Sequence, residues 1–150
     1  MINLERILLP TDFSDCSARA RSYACELAKR FQAEIHLLHV VAPVVVPAYV
    51  GYMPEELAQP EEGAKRELEE WDDPALADAT KVVRAVASGT PFVEIVRYAR
   101  EHELDLIVMG THGRSGLTHA LMGSVAEKVV RKAPCPVLTV RPEGHQFVMP

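Results

Sequence analysis

Gly110, Gly113 and Gly123 fall with Ser124 in the pattern G-x2-G-x9-G-S. Glycine-rich turns expose bare backbone N–H groups, and the main chain can approach an anion closely because no Cβ intrudes and positive φ costs glycine nothing. Phosphate is the ligand that chemistry suits. Leu104–Met109, just before the pattern, is a short apolar run of strand length. After it Leu121, Met122, Val125, Ala126, Val129, Val130 and Ala133 recur at helical spacing, so Gly123-Ser124 sits near a helix start. A helix N-terminus adds unpaired donors and a partial positive charge worth about 0.3–1 kcal/mol toward an anion. Arg114, inside the loop, is either the guanidinium for phosphate oxygens or an ordinary solvated side chain.

A second group, Pro10-Thr11-Asp12-Phe13-Ser14, follows the first apolar run. Asp12 reads either as a ligand contact or as a strand-end turn and cap. A carboxylate facing bare phosphate is repelled, which places Asp12 better at a nucleoside or beside a bridging metal. His36 and His39 sit on one strand with odd spacing, point to opposite faces and cannot clamp one ion together, which leaves packing or surface roles. His112 and His119 lie in or beside the glycine loop and read as phosphate contacts or solvated rings. The chain has no Walker A lysine motif, no G-x-S-x-G elbow and no strand-placed G-x-G-x-x-G, so dedicated catalysis lacks a sequence signature.

Five strand-like runs could position these groups: Arg6–Leu9, Glu34–Val41, Lys81–Ala87, Leu104–Met109 and Pro136–Val140. Helical patterns alternate with them. Ala20, Tyr23, Ala24, Leu27, Ala28 and Phe31 form one stripe, with Ser14 or Asp15 as N-cap. Phe92, Ile95, Val96 and Ala99 form another, behind Thr90 as cap and Pro91 as first residue. Glu55–Asp73 is charged and helix-prone but interrupted by Pro60 and Gly63, and reads as an irregular or late-starting helix. Alternation of this kind implies a parallel sheet with right-handed crossovers in a three-layer α/β sandwich. Ligands bind such sheets at the carboxyl ends of strands, where strand order reverses. The first and fourth strands must then be neighbours, although spacing alone leaves strand order open.

Composition bounds the function classes. The 150 residues, 48% hydrophobic and 25% charged, allow one core and read as a single domain over 1–150, with 142–150 as a tail. A net charge of −5 argues against a nucleic-acid or anionic-membrane surface, both of which need a basic patch. The longest apolar stretch, Val40–Met53, is broken by Pro43 and Pro47 and is shorter than the ~20 residues a membrane helix requires. Cys16, Cys25 and Cys135 make no C-x-x-C pair and no metal spacing, which suits packing roles in a reduced, cytoplasmic protein.

At these residues the chain resembles the ATP-binding branch of the universal stress protein family. The resemblance is carried by Arg6-Ile-Leu-Leu-Pro-Thr-Asp-Phe-Ser14, Leu37-Leu-His-Val40, Asp105-Leu-Ile-Val-Met-Gly-Thr-His-Gly113, Gly123-Ser-Val-Ala-Glu-Lys-Val-Val130 and Pro134-Cys-Pro-Val-Leu-Thr-Val140. It implies a Rossmann-like open sheet of five parallel strands in the order 3-2-1-4-5, with helices on both faces. It further implies that Pro10, Thr11, Asp12, Val40 and Met109 line a nucleoside pocket, that Gly110, Gly113, Gly123 and Ser124 hold ribose and phosphates, and that Arg114 and Val125 stand with them among the cofactor-binding residues. ATP with Mg2+ or Mn2+ is the implied cofactor, and a homodimer through Pro136–Val140 the implied assembly. The function implied is a nucleotide-dependent sensor or switch in the stress response, with a weak ATP hydrolase or adenylyl-transfer enzyme and a nucleotide-independent dimeric scaffold as the alternatives. The proline-bracketed stretch at 44–50 reads as a lid over adenine, a partner surface or packing under a loop.

Overall fold

Ile7, Leu8 and Leu9, three consecutive residues of the first strand, are all fully buried, which only a strand covered on both faces permits. That strand, β1 (Arg6–Thr11), is the centre of the sheet in the computed structural model, which describes residues 1–43, 51, 59–71, 73–77, 79, 81–113 and 122–144. It is flanked by β2 (Glu34–Val41) and β4 (Leu106–Gly110). β3 (Val82–Ser88) and β5 (Val137–Val140) lie at the edges. The order is β3-β2-β1-β4-β5 and every pairing is parallel, as the resemblance implied. β1 and β2 stay in register from Arg6↔Glu34 to Thr11↔His39, and β4 and β5 from Ile107↔Val137 to Gly110↔Val140.

Five helices connect the strands among the described residues: α1 (Asp15–Phe31), α2 (Pro60–Glu70), α3 (Pro74–Ala77), α4 (Pro91–Glu101) and α5 (Ser124–Lys132). Ser14 caps α1, its hydroxyl accepting the Ser17 N–H at 3.3 Å. The helix ends on Gln32, which turns left-handed at φ 57° and returns its N–H to the Ala28 carbonyl, a common helix stop. Ala20, Ala24 and Ala28 are fully buried and let the helix lie close to the sheet. Tyr23 and Phe31, assigned to the same stripe by spacing, are 47% and 38% exposed, because the alanine seam leaves no depth for rings at its margins.

Two apolar layers sandwich the sheet. Ile7, Leu9, Leu37 and Val108 pack with α1 on one side. Leu8, Leu38 and Ile107 pack with Ile95, Ala99 and Val129 of α4 and α5 on the other. Each fully buried Leu or Ile stabilises the fold by about 1.5–3 kcal/mol, so this alternation fixes which way every strand faces.

Local differences from the sequence reading have physical causes. Pro60 starts α2 rather than interrupting it, since proline suits the first helical turn, and the helix runs on through Gly63. Thr90 precedes α4 as expected, but its carbonyl rather than its side chain takes the amides of Val93 and Glu94. β4 starts at Leu106, because Leu104 still belongs to the turn after α4, its N–H bonded to the Ala99 carbonyl at 2.9 Å. α5 begins at Ser124, and Met122 lies before it. Among the described residues, no helix is long and apolar enough to cross a membrane. The stretch at 44–50, Arg114, His119 and the tail from 145 lie outside the described residues.

Candidate functional site

β1 and β4 are hydrogen-bonded neighbours through Ile7↔Leu106 and Leu8↔Ile107, so the turn after β1 and the glycine segment after β4 emerge side by side. A cavity of about 270 Å3 opens between them. Of the eleven residues expected to bind a ligand, ten line it: Pro10, Thr11 and Asp12 after β1, Val40 on β2, Met109 and Gly110 on β4, then Gly113, Gly123, Ser124 and Val125. The eleventh is Arg114. His112 lines it too, its Nδ1 2.8 Å from the Thr111 hydroxyl.

Asp12 serves the strand-end turn, one of the two roles its position suggested. Its Oδ1 accepts the Ser17 hydroxyl at 2.6 Å and the Ser14 N–H at 3.1 Å, which builds the turn into α1. Its Oδ2 faces Gly113, where an added Cβ would stand 2.6 Å away. A carboxylate held this way is a fixed acceptor at the mouth of the cavity.

The glycines also have packing neighbours of their own. None of the three has the positive φ that favours glycine. Each is approached by protein atoms. A Cβ on Gly110 would meet Cys16 Sγ at 2.7 Å and the Cys16 backbone carbon at 3.2 Å, so Gly110 lets α1 pack onto β4. A Cβ on Gly123 would meet the Thr111 carbonyl oxygen at 2.9 Å, and the Gly123 N–H already donates to that oxygen at 2.6 Å. The donors left at this end are further on. Gly123 is the N-cap of α5 and has no side chain with which to cap the amides of Ser124, Val125 and Ala126, and all three of those residues line the cavity. A helix start in this state attracts an anion.

Sequence reasoning missed part of the cavity's apolar wall and two of its hydroxyls. Leu38, Pro91, Ile95 and Ala126 also line it, as do Ser17 and Thr111. Leu38 was legible from strand alternation, since it shares a face with Val40. Pro91 and Ile95 stand one helical turn apart at the start of α4. No local signal marks Ser17, which reaches the site through the fold of the turn.

Metal chemistry has little to work with. No group of three His, Cys, Asp or Glu side chains able to hold an ion occurs among the described residues, and Asp12 is the one carboxylate among the described lining residues. That donor set fits a Mg2+ or Mn2+ ion carried mainly by ligand phosphates, not one caged by protein. His36 and His39 do face opposite ways. His36 is buried, with Nδ1 2.9 Å from the Tyr98 hydroxyl, while His39 Nδ1 lies 2.8 Å from the Thr11 carbonyl. Cys16, Cys25 and Cys135 are free thiols, and burial pushes the Cys25 thiol up to about 11, so it is inert at neutral pH.

An open parallel α/β sheet with a cavity at the carboxyl ends of its reversal strands defines the doubly wound, ligand-binding class. Within it, this chain belongs to the universal stress protein family, which matches residues 3–141. A universal stress protein of Methanocaldococcus jannaschii is 38% identical over 146 residues, covering 91% of this chain and 82% of that protein. YxiE of Bacillus subtilis is 37% identical, covering 91% and 98%. The solved structure of UspA from Lactobacillus plantarum superposes with a TM-score of 0.80 at 30% identity, covering 94% of this chain and 100% of that one. A universal stress protein solved in complex with cAMP superposes at 0.71 with 26% identity, covering 93% and 98%.

Proposed function

We propose that this protein binds ATP in the cavity between β1 and β4 and works as a nucleotide-dependent switch of the stress response. The observation that carries this reading is the convergence of the Asp12 turn and the open start of α5 on one volume. The apolar wall of Leu38, Val40, Ile95 and Met109 suits a flat base, Asp12 Oδ2 suits a donor on the nucleoside, and the amides of Ser124–Ala126 suit phosphate. A related protein bound to cAMP supports the adenine class of ligand. Mg2+ or Mn2+ would travel with the phosphates and offset their charge against a chain of net −5; Arg114 is placed by the sequence to assist.

We read the whole chain as one cytoplasmic domain. It pairs with a second copy through β5, an edge strand on which Leu138 is 37% exposed, since apolar edges need cover. A monomer mass at micromolar concentration overturns that pairing.

Small molecules released from the purified, denatured protein test the central reading by mass spectrometry, followed by ATP titration with and without Mg2+. Saturable ATP binding without turnover over hours supports the switch. Multiple-turnover release of phosphate that is lost in Asp12→Ala replaces it with an enzyme. A protein that carries no nucleotide and ignores ATP leaves a scaffold.

A further inference from the structure

The direction of the Asp12 carboxylate is set by the turn that follows β1, and that turn is gripped from the far side of the sheet. His39 lies between Leu38 and Val40, both of which line the cavity, so strand alternation turns its ring to the opposite face. There its Nδ1 stands 2.8 Å from the Thr11 carbonyl oxygen. A carbonyl only accepts, so Nδ1 carries the proton and the ring is held in that tautomer.

The same ring meets Phe13, with centroids 4.6 Å apart. Phe13 is left-handed at φ 63°, a conformation that a bulky residue keeps only where its surroundings enforce it. The enforcing contacts are visible. Its N–H donates to the Thr11 hydroxyl at 3.0 Å, and its ring packs edge-on against Trp71 at 5.9 Å. Between these two anchored residues stands Asp12, with Oδ1 engaged by Ser14 and Ser17 and Oδ2 toward Gly113.

We propose that His39 and Phe13 are positioning residues for the cavity, in which His39, from the face of the sheet that the ligand never touches, pins both ends of the Thr11–Phe13 turn and thereby aims the Asp12 carboxylate. The inference rests on the nucleotide-binding reading above. It makes part of the ligand affinity depend on one hydrogen bond from an imidazole to a main-chain oxygen.

Calorimetric ATP titration of the full chain with His39→Leu and His39→Asn, together with nitrogen NMR of the wild-type imidazole, tests it. The asparagine amide nitrogen can stand where Nδ1 stands. His39→Leu is expected to weaken ATP about tenfold, the upper scale of one lost hydrogen bond, and His39→Asn to remain within about twofold of wild type. The His39 ring is expected to carry its proton on Nδ1. Equal affinity in His39→Leu and wild type overturns the proposal, as does an asparagine variant as weak as the leucine one, or a ring protonated on Nε2 alone. Should His39→Leu fail to fold, the asparagine variant and the tautomer decide. A wild-type chain that takes up no ATP overturns the functional reading and this role with it, a result distinct from binding that ignores residue 39.

Discussion

At the amino ends of the strands, Glu34 gathers Lys81 at 2.8 Å, Arg6 at 3.4 Å and His36 at 3.7 Å, while the Asp105 carboxylate accepts the amides of Glu5 and Arg6. At the carboxyl ends the arrangement is reversed. There the described cavity wall offers one carboxylate, several hydroxyls and the start of a helix around an open volume. Groups at the amino ends pair with one another and hold strands together, whereas groups at the carboxyl ends surround a volume that a ligand could enter. Charge density is therefore a poor guide to the working end of this fold.

Substitutions at the two ends put this contrast to the test. The largest effect is expected at Gly110, which belongs to the carboxyl end by position but to packing by contact. Gly110→Val drives side-chain atoms into Cys16, including its backbone, and should cost about 3 kcal/mol in denaturant unfolding, the upper range for overpacking. Gly113→Ala should do the opposite. Among the described residues its Cβ meets the end of the Asp12 side chain alone, so stability should hold while calorimetry shows ATP weakened about tenfold, equal to about 1.4 kcal/mol.

The amino end predicts a pH effect. Burial holds the His36 imidazole below its ordinary value of 6.5, despite the opposing pull of Glu34. The unfolded chain then binds this proton more readily than the folded one, so stability is complete above pH 6.5 and falls as pH drops below it toward the folded value. Thermal melts between pH 7.5 and 5.5 should show that loss in wild type and a shallower slope in His36→Leu. Glu34 adds a second loss only further down, because the hydrogen bond from Lys81 holds its carboxyl below 4.5. Lys81→Ala should have the smallest effect, about 0.5 kcal/mol in urea unfolding and nothing measurable at 1 M salt, as for exposed ion pairs in general.

Much of the fold was legible where a residue's environment depends on its own neighbours in sequence. β2 was read with its observed ends, Glu34 and Val41, with Pro43 breaking the apolar stretch just beyond it. Strand order came only with the family resemblance, since nothing in local spacing says that β1 lies between β2 and β4. The glycine positions were found, but their packing neighbours were not. Cys16 and Thr111, which crowd Gly110 and Gly123, are brought there by packing between elements. Ser17 and the role of His39 were hidden for the same cause, since each acts across a turn or a sheet that sequence spacing does not display.

Trp71 is the single tryptophan of the chain. It lies edge-on to Phe13 with the Arg21 guanidinium 4.2 Å above its ring. Every photon of indole emission from this protein therefore originates beside the residue that follows Asp12, on the side away from the cavity. A movement of that turn changes the ring contacts of the fluorophore, so the natural chain carries its own optical gauge of the site, with no label and no chromophore in the ligand's path.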